Sequence, residues 1–211
     1  MSIQNLTRQI LPKLSKLSAQ NREAVNNMPE MVLAKMIREG NPNIISVGMN
    51  ECKAVRILPD RIHTIYTDGL AGCNSVGVVM KGKDGNPIAI LSHYTPLPVS
   101  KDLQASTLDK QLATYDYFID KSKKPKLFFN VSGYQDEREL KPCVNNIFEK
   151  IRKVMDKYFN KNYDEQIILY QGKNRPPFFS SANIFQFDTK NPNKLKMTTV
   201  GEKEHFIDLY K

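Results

Sequence analysis

Two apolar runs joined by a turn, within residues 63–98, constrain this chain more than any other stretch. The first holds Val76-Gly77-Val78-Val79-Met80 and the second Ile88-Ala89-Ile90-Leu91, with Lys81-Gly82-Lys83-Asp84-Gly85-Asn86-Pro87 between them. Short β-branched and aliphatic runs bounded by Gly, Asp-Gly and Pro read as the two strands of a hairpin. In an antiparallel pair the start of one strand lies beside the end of the other. Cys73 opens the first run and His93 ends the second, so the hairpin predicts a thiol and an imidazole at one open end.

The residues before the thiol sharpen that expectation. Thr67-Asp68-Gly69-Leu70-Ala71-Gly72-Cys73 places two glycines and a small residue on the approach to Cys73, where glycine allows a backbone to come close to a substrate. A thiol alone is a poor nucleophile near neutrality, and an imidazole both activates it and supplies a proton to the leaving group. Cys73 and His93 are the candidate nucleophile and base, the N–H groups around Gly72 and Cys73 candidate oxyanion donors, and Ser92 and Tyr94, which flank the base, candidate pocket residues. The plainer alternative is a small buried Cys at a strand start and a surface His at a strand end. His63 is a rival base, His205 a weaker one, and Asp68 either an assistant or a turn residue bonded to backbone. Cys52 and Cys143 read as structural, although a helix start would lower the pKa of Cys143.

At this point the chain resembles a known family. The Thr-(x5)-Cys spacing, with Gly and Leu between and a His ending the next strand, is similar to the active-site segment of the chemoreceptor glutamine deamidase CheD. It is similar, more loosely, to the Cys-His segment of the cytotoxic necrotizing factor toxins, which deamidate a glutamine on host small GTPases. The resemblance covers roughly a fifth of the chain, and a longer hairpin turn absorbs a wider Cys-to-His gap. It implies a sheet covered by helices, a protein-glutamine deamidase activity, and a positioning role for Thr67 beside Cys73 and His93.

Around this segment the chain reads as one domain of 211 residues with a helical lead-in, divided as 1–40 and 41–211. Ile3, Leu6, Ile10, Leu14 and Leu17 fall at helical spacing, and Asn21 to Gly40 reads as a second helix with Met28, Met31 and Met36 on its core face. Strands are expected at Ile44–Val47, Lys53–Leu58, Arg61–Tyr66, Lys126–Val131, Gln166–Tyr170, Ala182–Phe187, Lys194–Thr199 and His205–Tyr210. Ser106-Thr107-Leu108-Asp109 reads as a capped helix start, and 143–158 as an amphipathic helix with Pro142 near its start. Helices followed by strands interleaved with helices predict an α/β or α+β layered sandwich with a mixed, largely antiparallel sheet.

Net charge of +9 and a pI near 9.4 favour an acidic partner. The absence of Trp argues against a dedicated nucleic-acid reader. Three cysteines without a C-x-x-C pair argue against structural zinc and fit a reducing cytosol, and no phosphate-binding glycine loop is present. No cofactor or metal is expected. The N-terminus is too polar for a secretory signal peptide and no apolar run suits a membrane span. The expected setting is a bacterial cytoplasm, or a host cell cytosol reached by a Sec-independent route, as for an effector or toxin. The leading reading is a cysteine-dependent deamidase of a protein glutamine. A basic binding module for nucleic acid or anionic membrane, and another thiol hydrolase (a protease or amidase), are the alternatives.

Overall fold

The computed structural model describes residues 35–37, 39–58, 61, 63–70, 73–95, 98–132, 137–170, 181–188, 190–199 and 204–209. The expected helix over 3–17, most of that over 21–40, and the approach residues Ala71 and Gly72 lie outside them.

The central hairpin forms as expected. β4 (Asn74–Lys81) pairs antiparallel with β5 (Pro87–Tyr94) in unbroken register from Asn74↔Tyr94 to Lys81↔Pro87. Gly85 closes the turn at φ +88°, a region that favours glycine, and Gly82 N–H donates to Asn86 O at 2.8 Å. Every residue of β5 is buried. A strand buried on both faces needs a layer on each side, and the period-2 alternation sorts the residues between the two layers.

On one side the layer is helical. Val76, Val78, Met80, Ile88 and Ile90 pack against Leu108 and Leu112 of α1 (Pro98–Tyr115) and against α2 (Glu137–Phe159). α2 presents Ile147, Ile151, Met155 and Phe159 at four-residue spacing, one stripe on its inner face. Both helices begin earlier than expected. Ser106 and Thr107 bond back to the Leu103 carbonyl at 3.0 and 2.8 Å, so their hydroxyls serve the helix interior, and Pro98 occupies the first position. Pro142 lies inside α2, six residues into it, where the ring forgoes one backbone bond.

On the other side lies a second sheet. β4 and β5 belong to a five-stranded sheet ordered β2-β5-β4-β6-β7, with β2 at Glu51–Arg56, β6 at Lys126–Ser132 and β7 at Asp164–Tyr170. It packs on a sheet ordered β1-β3-β8-β9-β10, with β1 at Ile44–Val47, β3 at Thr64–Leu70, β8 at Ser181–Phe187, β9 at Lys194–Thr199 and β10 at Glu204–Asp208. Within the described residues only β1–β3 and β6–β7 pair in parallel. The class is therefore the expected mixed α+β sandwich. The layering differs from a sheet covered by helices, since the hairpin sheet lies between two helices and another sheet. On the outer face of the second sheet, Ile37 packs against Tyr66, Ala182 and Ile184.

Val79, Ala89, Leu91 and Phe128 meet Ile65, Phe185, Leu195 and Met197 in the layer between the sheets. Gly77 is needed there. A Cβ on it would lie 2.3 Å from Cζ of Phe185, whose ring is fully buried and packs edge-to-face on Phe128 with centroids 5.5 Å apart. Gly77→Ala should cost about 1–3 kcal/mol in denaturant unfolding. The same change in a Phe185→Leu background should cost less, with a coupling of about 0.5–3 kcal/mol. Equal costs in the two backgrounds would show that the ring is not the constraint.

Candidate functional site

The layer between the sheets is apolar for most of its length and turns polar at one end. One level beyond Leu91, Gly77 and Phe128, the hairpin sheet carries His93 on β5, Ser75 on β4 and Asn130 on β6, which are register partners across adjacent strands. Facing them, the second sheet carries Thr67 on β3, Asn183 on β8 and Thr199 on β9, also in register. The two rows bond residue to residue. Thr67 Oγ1 meets His93 Nδ1 at 2.8 Å, Asn183 Nδ2 donates to Ser75 Oγ at 3.3 Å, and Thr199 Oγ1 donates to Asn130 Oδ1 at 3.1 Å. None of the six is more than 1% exposed.

The Thr67 hydroxyl settles the state of the imidazole. It donates its single proton to the Val47 carbonyl, at 2.9 Å, at the end of the neighbouring parallel strand β1. Its contact with His93 must then be one in which Nδ1–H donates to Oγ1. The ring proton therefore sits on Nδ1, and Nε2 carries a lone pair. Nε2 is buried and has no hydrogen-bond partner among the described residues. Burial pushes the His93 imidazole down to about 4, so the ring is neutral at physiological pH. Glu51, the cross-strand neighbour of His93 on β2, commits its carboxylate to the Gly48 N–H and to Lys53 instead.

Cys73 stands just outside β4, one position beyond Asn74. It is 7% exposed and packs with Leu70 of β3 and Tyr170 of β7, which places its side chain in the layer between the sheets. Tyr170 donates its hydroxyl to the Cys73 carbonyl. Strand alternation puts Cys73 on the face of Ser75, and so diagonal to His93, a relation that separates Cα atoms by roughly 7–8 Å and leaves long side chains within reach. Thr67, Cys73 and His93 thus converge on one end of the sandwich. Gly72 lies outside the described residues.

Ser92 and Tyr94 are not brought to this cluster. They lie on the helix face of β5, where Ser92 Oγ bonds the Val76 backbone at 3.2 Å and accepts from Gln104, and Tyr94 meets Thr107 at 2.5 Å. His63 sits at the far end of β3, its Nδ1 3.2 Å from the Asn43 carbonyl. His205 is on the edge strand β10. Cys52 faces the helices, and burial pushes its thiol up to about 12. Cys143 belongs to α2, its side chain outside what is described. Asp68 occupies the irregularity between Thr67 and Leu70, and burial pushes its carboxyl up to about 6. Among the described residues no group of three or more His, Cys, Asp or Glu side chains could hold a metal ion.

Sequence reading passed over Ser75, Asn130, Asn183 and Thr199. Their signal was a polar residue at an inward position of an otherwise apolar strand, as in Leu127-Phe128-Phe129-Asn130-Val131. Recognising it requires knowing which face looks inward.

No protein-family model and no curated protein matches the chain. Among solved structures, the C-terminal domain of CNFy from Yersinia pseudotuberculosis aligns with 78% of this chain at 11% identity and a TM-score of 0.31. The chain spans 62% of that domain's own length, and a likeness at this level carries no argument about fold or activity.

The buried imidazole has a measurable consequence. Between the ordinary 6.5 and about 4 the unfolded chain binds a proton that the folded His93 does not. Its contribution to stability is therefore complete above 6.5 and is lost as pH falls toward 4, on the order of 3 kcal/mol. Asp68 acts oppositely, since its raised carboxyl favours the folded state at low pH and that contribution is lost as pH rises through about 6. Urea unfolding of wild type and His93→Gln from pH 4 to 7 separates the two. Wild type should lose stability relative to the variant as pH falls, and parallel curves would show that His93 is not held neutral.

Proposed function

We propose that the chain is a cysteine-dependent protein-glutamine deamidase. The observation that carries this reading is the Val47–Thr67–His93 chain of hydrogen bonds, which holds a neutral imidazole with an Nε2 lone pair unpartnered among the described residues, on the strand next to the one that Cys73 leads into. That is the arrangement of a nucleophile, a base and a group that orients the base.

In the first half-reaction the Cys73 sulfur attacks the carboxamide carbon of a glutamine while its proton passes to His93 Nε2. As the C–N bond breaks, the proton returns to the departing nitrogen and ammonia leaves a thioester. In the second half, water gives a proton to Nε2 as it attacks the thioester carbon. The C–S bond then breaks, the sulfur recovers the proton, and the substrate carries glutamate. An amine in place of water would give a transglutaminase side reaction. Thr67 acts through His93 as a positioning residue, keeping Nε2 unprotonated before attack. Residues 41–211 would carry the activity, with 1–40 as a lead-in. The charge of +9 suits an acidic or extended protein substrate, as an effector acting on another cell's protein would meet. No described helix is long and apolar enough to cross a membrane.

Two measurements test this. Iodoacetamide labelling read by mass spectrometry should modify Cys73, slow markedly at that site in His93→Ala, and leave Cys52 unmodified in both proteins. Incubation with eukaryotic cytosolic extract should produce glutamine-to-glutamate conversion with release of ammonia. That conversion should be absent with Cys73→Ser and reduced about 10²–10⁴-fold with His93→Ala. Conversion that persists in Cys73→Ser would overturn the reading, and cleavage of peptide bonds without ammonia release would replace it with a protease.

A further inference from the structure

We propose that Asn130 is a further catalytic residue, donating a hydrogen bond from Nδ2 to the carboxamide oxygen as that oxygen becomes an oxyanion on Cys73. The inference rests on the deamidase reading above.

The topology places Asn130 where such a donor is needed. β4 runs between β5 and β6, and Cys73 lies one level outward from Ser75 on β4. The strand-register neighbours of Ser75 are His93 on one side and Asn130 on the other, so both residues are diagonal to Cys73. A carbonyl carbon bonded to the Cys73 sulfur would have a proton acceptor toward one flank and an N–H donor toward the other. Addition to a carboxamide needs both groups, a base for the thiol proton and a donor for the charge that develops on oxygen.

The hydrogen bonding of Asn130 points the same way. Its Oδ1 accepts from Thr199, while Nδ2 has no partner among the described residues although the residue is 1% exposed. Buried amide donors without an acceptor are rare and costly, and one in a dry site acts on a developing negative charge far more strongly than it could in water. The neighbouring amide is used differently. Asn183 donates from Nδ2 to Ser75, and its unpartnered atom is the acceptor Oδ1, which would repel an oxyanion. Thr199, by holding Oδ1, leaves the N–H₂ end of Asn130 as the end not committed to it.

The test compares two small reagents on Cys73. p-Nitrophenyl acetate acylates a thiol through a tetrahedral oxyanion, whereas methyl methanethiosulfonate modifies it by exchange at sulfur with no oxyanion. Asn130→Asp keeps the side-chain shape and removes both donors, and Asn130→Ala removes the group outright, so that one variant serves if the other does not fold. Labelling at Cys73, read by mass spectrometry, should show acylation slowed about 10²-fold with thiosulfonate modification at the wild-type rate. If both rates stay at wild type, or both fall together, the inference is overturned while the deamidase reading stands. If wild-type Cys73 takes thiosulfonate but is never acylated, the deamidase reading fails and the inference with it.

Discussion

The Thr67 hydroxyl has one proton, and its destination determines what the site can do. A carbonyl at the end of β1 claims it, so the oxygen is left to accept from the imidazole, and the imidazole proton is pinned to Nδ1. This bond spans the two sheets. It depends on the parallel pairing of β1 with β3 and on the depth to which β5 is buried, so the tautomer is a property of the sandwich rather than of the histidine.

The same end of the layer shows what a polar row costs inside a buried interface. Six side chains that would be hydrated in the unfolded chain are withdrawn from water, and each must find a partner across the sheets. The three rungs between the rows meet most of that need. They leave His93 Nε2, Asn130 Nδ2 and Asn183 Oδ1 without partners among the described residues. The apolar rows deeper in the layer show no such deficit, because aliphatic and aromatic side chains fill them by shape, as Phe185 does over Gly77. Three unsatisfied polar atoms gathered on one level beside Cys73 are what a site pre-organised for a polar substrate would retain.

The hairpin and the placing of Cys73 and His93 toward its open end were legible because strand pairing and a period of two are local rules, whereas Thr67 was singled out by the resemblance alone. The same period separates Ser92 and Tyr94 from His93, since adjacent residues of a strand face opposite sides, and both hydroxyls are engaged by the helix layer. The helix starts were misread for a related reason. Ser106-Thr107 has the chemistry of a cap and also that of a back-bond to the preceding turn, and composition does not distinguish them. Pro142 marks a helix start in most sequences, but packing of the Ile147–Phe159 stripe on β4, β5 and β6 stabilises a helix that runs through it.

By itself the sequence determined the hairpin, the existence of most strands and the candidacy of a thiol and an imidazole, because alternation and turn chemistry act over a few residues. The tertiary structure alone decided which layer covers each face, and therefore that a second sheet rather than a helix lies over His93. It also decided that Ser75, Asn130, Asn183 and Thr199, scattered from residue 75 to residue 199, share one buried level. Those four are far apart along the chain and sit in unremarkable strand contexts. Only the stacking of the two sheets, set by how the apolar rows interlock, brings their dipoles to the same place.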